Sequence, residues 1–401
     1  MRHDFDTPVD RAGTASFKWD RYPEGVLPLW VADMDFAAPP AVIEALRARA
    51  EHGVFGYSLV PPSLTEAIAG HLDSRYGWAI DSEWLCWLPS VVPGLNAACA
   101  AYAGPGEAVM TVTPVYPPFL HAPGNQGRRL IAVPAAEEPG RGWRLPLEAM
   151  EAAVTADTRV FLFCHPHNPL GRVWRRDEVA AVVDFCRRHD LVLVSDEIHC
   201  DLILDPLEHV PAAVVAAAAQ EHSGAADASG TAPGTLPPAR IVTLMSPSKT
   251  FNLPGLNFAF AVIADAALRE CFPQPDEGLL PFPGCFAIDA AEAAYRWGGE
   301  WLAELLDYLR DNRDLVERTV TSDLPAVSVT HAEATYLAWL DVRGLEARGL
   351  GGDAAMQACL DAGLALSPGA DFGGPGFLRL NFGCSRSTLQ EALRRLQRAL
   401  G

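Results

Sequence analysis

Lys249 lies in the run Ser246-Pro247-Ser248-Lys249-Thr250-Phe251-Asn252, just after the apolar residues 241–245. It is one of only two lysines in 401 residues, the other being Lys18, and arginine fills almost every other basic position. Arginine cannot replace a lysine that must form a Schiff base, because guanidinium stays protonated and is a poor nucleophile. A lysine between the small hydroxyls of Ser248 and Thr250 could hold the aldehyde of pyridoxal phosphate, with hydroxyls toward the phosphate and the amine toward the aldehyde. The competing reading is a surface lysine at the end of a strand.

Four further positions carry types suited to the same chemistry. Asp196 ends the apolar run 191–195. A carboxylate at the mouth of a buried strand is costly unless paired, and a protonated pyridine nitrogen would pair it and keep the ring an electron sink. An aspartate capping a following helix is the alternative. Asn168 sits in the turn 164–171, where its amide could donate to a phenolic oxygen, although Asn before Pro is also a common turn signal. Tyr116, on the rigid turn 113–118, suits stacking on a planar ring and equally suits plain packing. Arg379, inside the apolar run 377–382, needs an anion; its fork fits a carboxylate, and a structural salt bridge would serve as well. Residues 90–94 precede a helical pattern from Leu95, and helix N-termini offer free N–H groups to phosphate. With only one glycine, the segment would not by itself mark a phosphate loop.

These positions need a scaffold that brings strand ends together. Runs at 108–112, 129–133, 159–164, 191–195, 241–245 and 258–263 read as buried strands, and 177–189 has helical periodicity with Asp177 at its start. The alternation predicts an α/β domain with a largely parallel sheet, whose ligands bind beyond the carboxyl ends of the strands. Residues 211–239, rich in Ala, Gly, Ser and Pro, read as a flexible insertion, most clearly from 223 to 238. From about 290 a long helix, a strand near 334–341, a helix near 353–362, a strand at 377–381 and a closing helix predict a smaller α+β domain. The expected division is therefore 51–289 for the large domain and 290–401 for the small one, with 1–50 packing on the latter.

The net charge of −19 argues against nucleic acid or an anionic membrane as partner. No apolar run approaches the roughly 20 residues that span a bilayer, and the first six residues lack a signal-peptide core. Nine irregularly spaced cysteines without a Cys-x-x-Cys pair read as reduced thiols of a cytoplasmic protein, with Cys164, Cys186 and Cys200 in its core.

In their order along the chain, these motifs resemble the fold type I pyridoxal-phosphate enzymes of the class I/II aminotransferase superfamily. The resemblance extends over nearly the whole chain. It is strongest to the MalY/PatB-like cystathionine and cysteine-S-conjugate β-lyases, through Leu27-Pro-Leu-Trp-Val-Ala-Asp-Met-Asp-Phe36, Phe55-Gly-Tyr57, Pro166-His-Asn-Pro-Leu-Gly-Arg-Val-Trp174, Ser195-Asp-Glu-Ile-His-Cys-Asp201 and the Lys249 run. It implies pyridoxal 5'-phosphate as cofactor, with Lys249 as Schiff-base lysine and acid/base at Cα. Asp196 would pair with the pyridine nitrogen, Asn168 with the phenolic oxygen, and Tyr116 would stack on the ring. Ser246, Ser248 and the amides of Val91 and Val92 would hold the phosphate, together with Tyr57 from the partner of a homodimer. His199 would stand near the phenolic oxygen, where many aminotransferases have tyrosine, and Arg379 would bind the substrate α-carboxylate. The chain departs from the subgroup at Ser90, usually Gly, and at His165, usually Asn, a change expected to alter the substrate pocket. It also lacks the arginine that many aminotransferases place near Asn257.

The implied activity is β-elimination of a thiol from an L-cysteine conjugate, giving pyruvate and ammonia. Transamination between an amino acid and a 2-oxo acid is the alternative, and a regulatory protein that kept the fold is the third. The Ala-, Arg- and Gly-rich composition suggests a bacterial source, where sulfur natural-product assembly stands beside methionine metabolism as a setting.

Overall fold

The computed structural model describes residues 3–138, 142–222, 238–273 and 280–401. Seven strands form the central sheet: β1 (Leu85–Leu88), β2 (Ala108–Thr113), β3 (Arg129–Pro134), β4 (Thr158–Cys164), β5 (Val192–Asp196), β6 (Arg240–Met245) and β7 (Ala259–Val262). Their spatial order is β1-β7-β6-β5-β4-β2-β3. Only β7 runs against its neighbours, so the other six share one direction. Strands β2, β4, β5 and β6 are almost wholly buried, which explains their unbroken apolar runs. Helices cover both faces: Val91–Tyr102 packs with one core and Arg176–Arg188 and Ala212–His222 with another.

A second sheet is built from β8 (Ser328–Thr330), β9 (Leu337–Asp341), β10 (Ser367–Pro368) and β11 (Phe377–Asn381), in the antiparallel order β8-β9-β11-β10. The N-terminal segment joins this part of the chain. Leu27–Pro28 pairs in parallel with Leu364–Ala365, and Phe5, Leu29, Met34 and Phe36 enter the same core as Leu378, Leu380 and the closing helix Arg386–Leu400. The helix Cys285–Trp297 touches both halves. Ala287, Ile288 and Ala291 pack toward the central sheet, while Ala290, Ala293 and Ala294 pack toward the second core. The boundary expected at 289/290 thus falls inside a continuous helix.

The expected flexible insertion does not begin at 211. Ala212–His222 is helical, and Ala212, Val215 and Ala216 are buried. Alanine is the best helix former, so what read as low complexity is a packed helix. Residues 223–237 lie outside the described residues. Among those described, no helix is long and apolar enough to cross a membrane.

Candidate active site

Because β1, β2, β4, β5 and β6 run in one direction, their carboxyl ends meet on one edge of the sheet. Each is followed by residues singled out from the sequence: Ser90–Val92 after β1, Tyr116 after β2, Asn168 after β4, Asp196 at the end of β5, and Ser246–Lys249 after β6. A cavity of about 180 Å³ is lined by Ser90, Val91, Val92, Tyr116, Cys164, Asn168, Asp196, His199, Ser248, Lys249 and Asn257, among others. The helix at its mouth starts at Val91, four residues before the expected Leu95. Ser90 caps it in an extended conformation and Pro93 sits in the first turn, where proline is tolerated. The amides of Val91 and Val92 are therefore first-turn donors without intrahelical acceptors.

No helix follows Asp196, so it is not a cap. Its Oδ1 accepts from the Ile198 amide at 3.1 Å, and burial pushes its carboxyl up to about 7. His199 is buried too, which lowers its imidazole to about 3 and keeps it neutral; its Nδ1 has no partner among the described residues. Asn168 links three elements. Its carbonyl accepts from the Tyr116 amide at 3.0 Å, its own amide meets Cys164 Sγ at 3.4 Å, and its Oδ1 accepts from Arg379 Nη1 at 3.0 Å. With Oδ1 held by a guanidinium, Nδ2 is the atom left to donate toward the cavity. Arg379 is buried and also donates from Nη2 to the Trp30 carbonyl at 2.9 Å, with its guanidinium carbon 4.6 Å from the Phe372 ring centre. Its Nε is buried and has no hydrogen-bond partner among the described residues, so the guanidinium is a buried cation without a paired anion. No carboxylate salt-bridges it among the described residues.

Lys249 Nζ donates to the Ala32 carbonyl at 2.6 Å, and burial lowers its amine to about 8. Lys18 is the opposite case. It is buried against Asp35 at 2.8 Å and the Asp33 carbonyl at 3.0 Å, a closed ion pair with no access to the cavity beside Asp196. A row of backbone carbonyls from 30 to 36 receives these side chains. Trp30 accepts from Arg379, Val31 from Asn381, Ala32 from both Lys249 and Tyr336, Asp33 from Lys18 and Asn381, and Met34 and Phe36 from Asn252. Sequence reasoning missed this role because carbonyl acceptors leave no mark on residue type.

A second cavity, about 570 Å³, meets the first at Ala32, Lys249 and Pro254. It is lined by Val9, Phe17, Met34 and Phe36 and by Arg11, Lys18, Asp33 and Asp35. Arg11 Nη2 bonds Asp33 Oδ2 at 2.6 Å and Nη1 bonds Asp35 Oδ1 at 2.7 Å. Away from Lys249 at the seam, two cations and two carboxylates leave this wall with no net charge. Arg11 sits in a segment without periodicity and carries no signal of this role in its sequence context.

Besides Arg379, which lines neither cavity and reaches the site through Asn168, three sequence-selected positions lie apart from the cavity. Ser246 is buried, donates to the Phe258 carbonyl at 2.6 Å and accepts from the Ser248 amide at 3.1 Å, so it caps the short helix Pro247–Thr250 rather than facing the cavity. Of the two serines, Ser248 lines it. Tyr57 is fully exposed, flanked by exposed Phe55 and Leu59. His165, expected to alter the pocket, instead packs on His209 with ring centres 4.3 Å apart and bonds the Val210 carbonyl at 3.1 Å. It does not line either cavity.

Residues 24–396 match the family described as aminotransferase class I and II. The cystathionine β-lyase PatB of Bacillus subtilis is 38% identical, over 99% of this chain and 99% of its own. A crystal structure of OvoB is 41% identical, covers 99% of both chains and has a TM-score of 0.89. Cystalysin from Treponema denticola, whose structure contains a pyridoxal 5'-phosphate cofactor, is 30% identical over 100% of this chain and 99% of that one, with a TM-score of 0.89.

Proposed function

Since the chain belongs to the class I and II aminotransferase family, with cystathionine β-lyases as full-length relatives, we propose that it is a pyridoxal-phosphate-dependent carbon–sulfur β-lyase. Its substrate is L-cystathionine or another L-cysteine S-conjugate, and its products are a thiol, pyruvate and ammonia. The buried Asp196, which bonds no cation among the described residues, beside the first-turn amides of Val91 and Val92 and the Asn168 amide, fits a group with a ring cation, a phosphate and a phenolic oxygen. When bound, that cofactor supplies the electron sink for a carbanion at the substrate Cα.

In this reading Arg379 binds the α-carboxylate, and Asn168, held by Arg379, donates to the phenolic oxygen. Tyr116 lies against the ring, Ser248 joins the two amides at the phosphate, and Ser246 acts through Ser248 by capping its helix. His199, neutral and buried, stays near the phenolic oxygen without adding charge. Lys249 would hold the cofactor and would accept the Cα proton; the Cα–H electron pair would form the Cα–Cβ double bond as the thiolate leaves with the Cβ–S pair. The observation that favours elimination over transamination is the neutral wall of the outer cavity. A dicarboxylate acceptor such as 2-oxoglutarate needs a second free cation there, and Arg11 is already committed to Asp33 and Asp35. Incubation with L-cystathionine, with an S-alkyl cysteine, and with an amino acid plus 2-oxoglutarate is the test. Pyruvate and thiol are expected from the first two; glutamate at normal turnover without pyruvate would establish the aminotransferase instead.

Asp196 has a measurable cost. Its folded value near 7 lies above that of an unfolded aspartate, so the penalty is absent at acid pH, grows between about pH 4 and 7, and is full above 7. Asp196→Asn should therefore stabilise the cofactor-free protein at pH 8 by on the order of 2–4 kcal/mol while weakening cofactor retention. Thermal melts of both proteins should converge as the pH falls toward 4. A gap that stays constant across this range would remove the charge as its cause.

The same reading makes the enzyme a homodimer, with Tyr57 reaching the partner's phosphate site. Its support is the exposed apolar run of Val54, Phe55, Tyr57 and Leu59. Such a run is the kind of surface that marks an interface. A monomer of full activity in sedimentation would exclude it. Residues 51–289 form the cofactor-binding unit in this reading, and 290–401 with 1–50 the smaller one. Nine cysteines, none of them in a disulfide among the described residues, support a reducing, cytoplasmic setting, and the composition supports a bacterial one.

A further inference from the structure

In the reading above, Lys249 needs its amine in two places. It holds the cofactor first, and once an incoming amino acid has taken that place the free amine has to wait within reach of Cα. The structure shows where a free amine settles. Nζ donates to the Ala32 carbonyl at 2.6 Å, and the Tyr336 hydroxyl donates to the same oxygen at 2.9 Å. A carbonyl oxygen has two lone pairs, so this one is fully used. Ala32 lines both cavities where they meet, whereas Tyr336 is buried and lines neither. Burial pushes its phenol far above the ordinary tyrosine range, so the hydroxyl stays a donor at every working pH. The backbone before it is strained. Thr335 has a φ of 74°, a region that a β-branched residue rarely enters. Its amide donates to the Leu202 carbonyl at 2.8 Å, and its hydroxyl accepts from the Leu337 amide at 3.2 Å. Such strain persists only where the surroundings over-determine it, and here it fixes Tyr336 against the segment that follows β5.

We propose that Tyr336 is a positioning residue for the reacting lysine: its hydroxyl keeps the Ala32 carbonyl in place as the resting point of the free Lys249 amine. When Lys249 leaves to hold the cofactor, the carbonyl loses one donor, and Tyr336 is the tie that remains. When the amine returns and takes the Cα proton, it becomes an ammonium at a buried position, and the same oxygen accepts one of its three N–H groups. The carbonyls on either side, of Val31 and Asp33, are tied by Asn381 instead. Apart from burial, the charges that bear on Lys249 are Asp33 in the N-terminal segment, Arg379 on β11 and Asp196 at the end of β5, with His199 neutral beside them. The inference rests on Lys249 being the cofactor lysine, and not on which substrate bond breaks.

The test is Tyr336→Phe, which keeps the ring and its edge-on contact with His199, 6.2 Å between centres, and removes only the hydroxyl. With two lysines in the chain, trace acetylation of the cofactor-free full-length protein by acetic anhydride across pH reads Lys249 against Lys18 alone. The Lys249 midpoint should fall by about 0.5–1 pH unit, because the ammonium loses a fixed acceptor. Lys18, closed against Asp35, should stay unlabelled in both proteins, which shows that the variant is folded. In the holoenzyme, kcat for an S-alkyl cysteine should drop about 10-fold with KM and cofactor affinity nearly unchanged. An unchanged midpoint would overturn the proposal. A rise would overturn it too, since the hydroxyl would then only compete with the amine for the oxygen. A shifted midpoint in a protein that forms no pyruvate from any conjugate would remove the β-lyase reading and leave the role of Tyr336 standing.

Discussion

Lys249→Ala is expected to lower kcat by about 10⁴-fold or more, because one side chain supplies both the covalent anchor and the proton acceptor at Cα. The purified variant should also lose the visible absorbance that borohydride otherwise fixes onto the peptide containing Lys249. The environment supports the assignment on both counts. Burial brings the amine down to about 8, so far more of it is neutral near physiological pH than for an ordinary lysine, and Nζ is held by a single carbonyl. Lys18 is buried as well, yet it is locked to Asp35. Recovery of the reduced cofactor on Lys18 would refute the assignment.

Arg379→Ala should reduce kcat/KM for every amino-acid substrate by roughly 30- to 1,000-fold, or about 2–4 kcal/mol, whatever thiol it carries. The loss has two sources. The α-carboxylate loses its charge-assisted partner, and Asn168 Oδ1 loses the donor that orients it. A shift in the cofactor's absorbance should therefore accompany the kinetic loss. Arg379→Lys should recover little, since a point charge cannot reach both the Asn168 amide and the Trp30 carbonyl while presenting a fork to substrate. Unchanged kcat/KM in either variant would place the α-carboxylate elsewhere.

Much of this scaffold can be read from composition alone, because strands buried on both faces must be apolar throughout. β2, β4, β5 and β6 match their apolar runs to within a residue or so for that reason. β1 escaped attention, since Leu85–Leu88 is four residues long and carries no repeat to detect. The helix Ala212–His222 reads as a linker in sequence because alanine-rich composition serves packed helices and linkers alike. Within the site, the residues that announced themselves are those whose type is expensive where they sit: a strand-end aspartate, a buried arginine, a rare lysine. Ser246 and Ser248 look equivalent in sequence, and only the fold turns one toward the Phe258 carbonyl and the other toward the cavity. Arg11 and Asp33 are 22 residues apart, and nothing short of the folded chain joins them.

The carbonyl row between residues 30 and 36 has a consequence for how this enzyme tolerates change. Its contribution to Lys249, Arg379, Asn381 and Asn252 depends on main-chain position, not on side-chain identity. Point substitutions at partly exposed Val31 would leave every acceptor in place, so a conventional scan would score it as dispensable. A one-residue insertion or deletion in the same stretch would shift all the acceptors at once. The segment is thus permissive to a change of side chain at Val31 and intolerant of drift in length throughout.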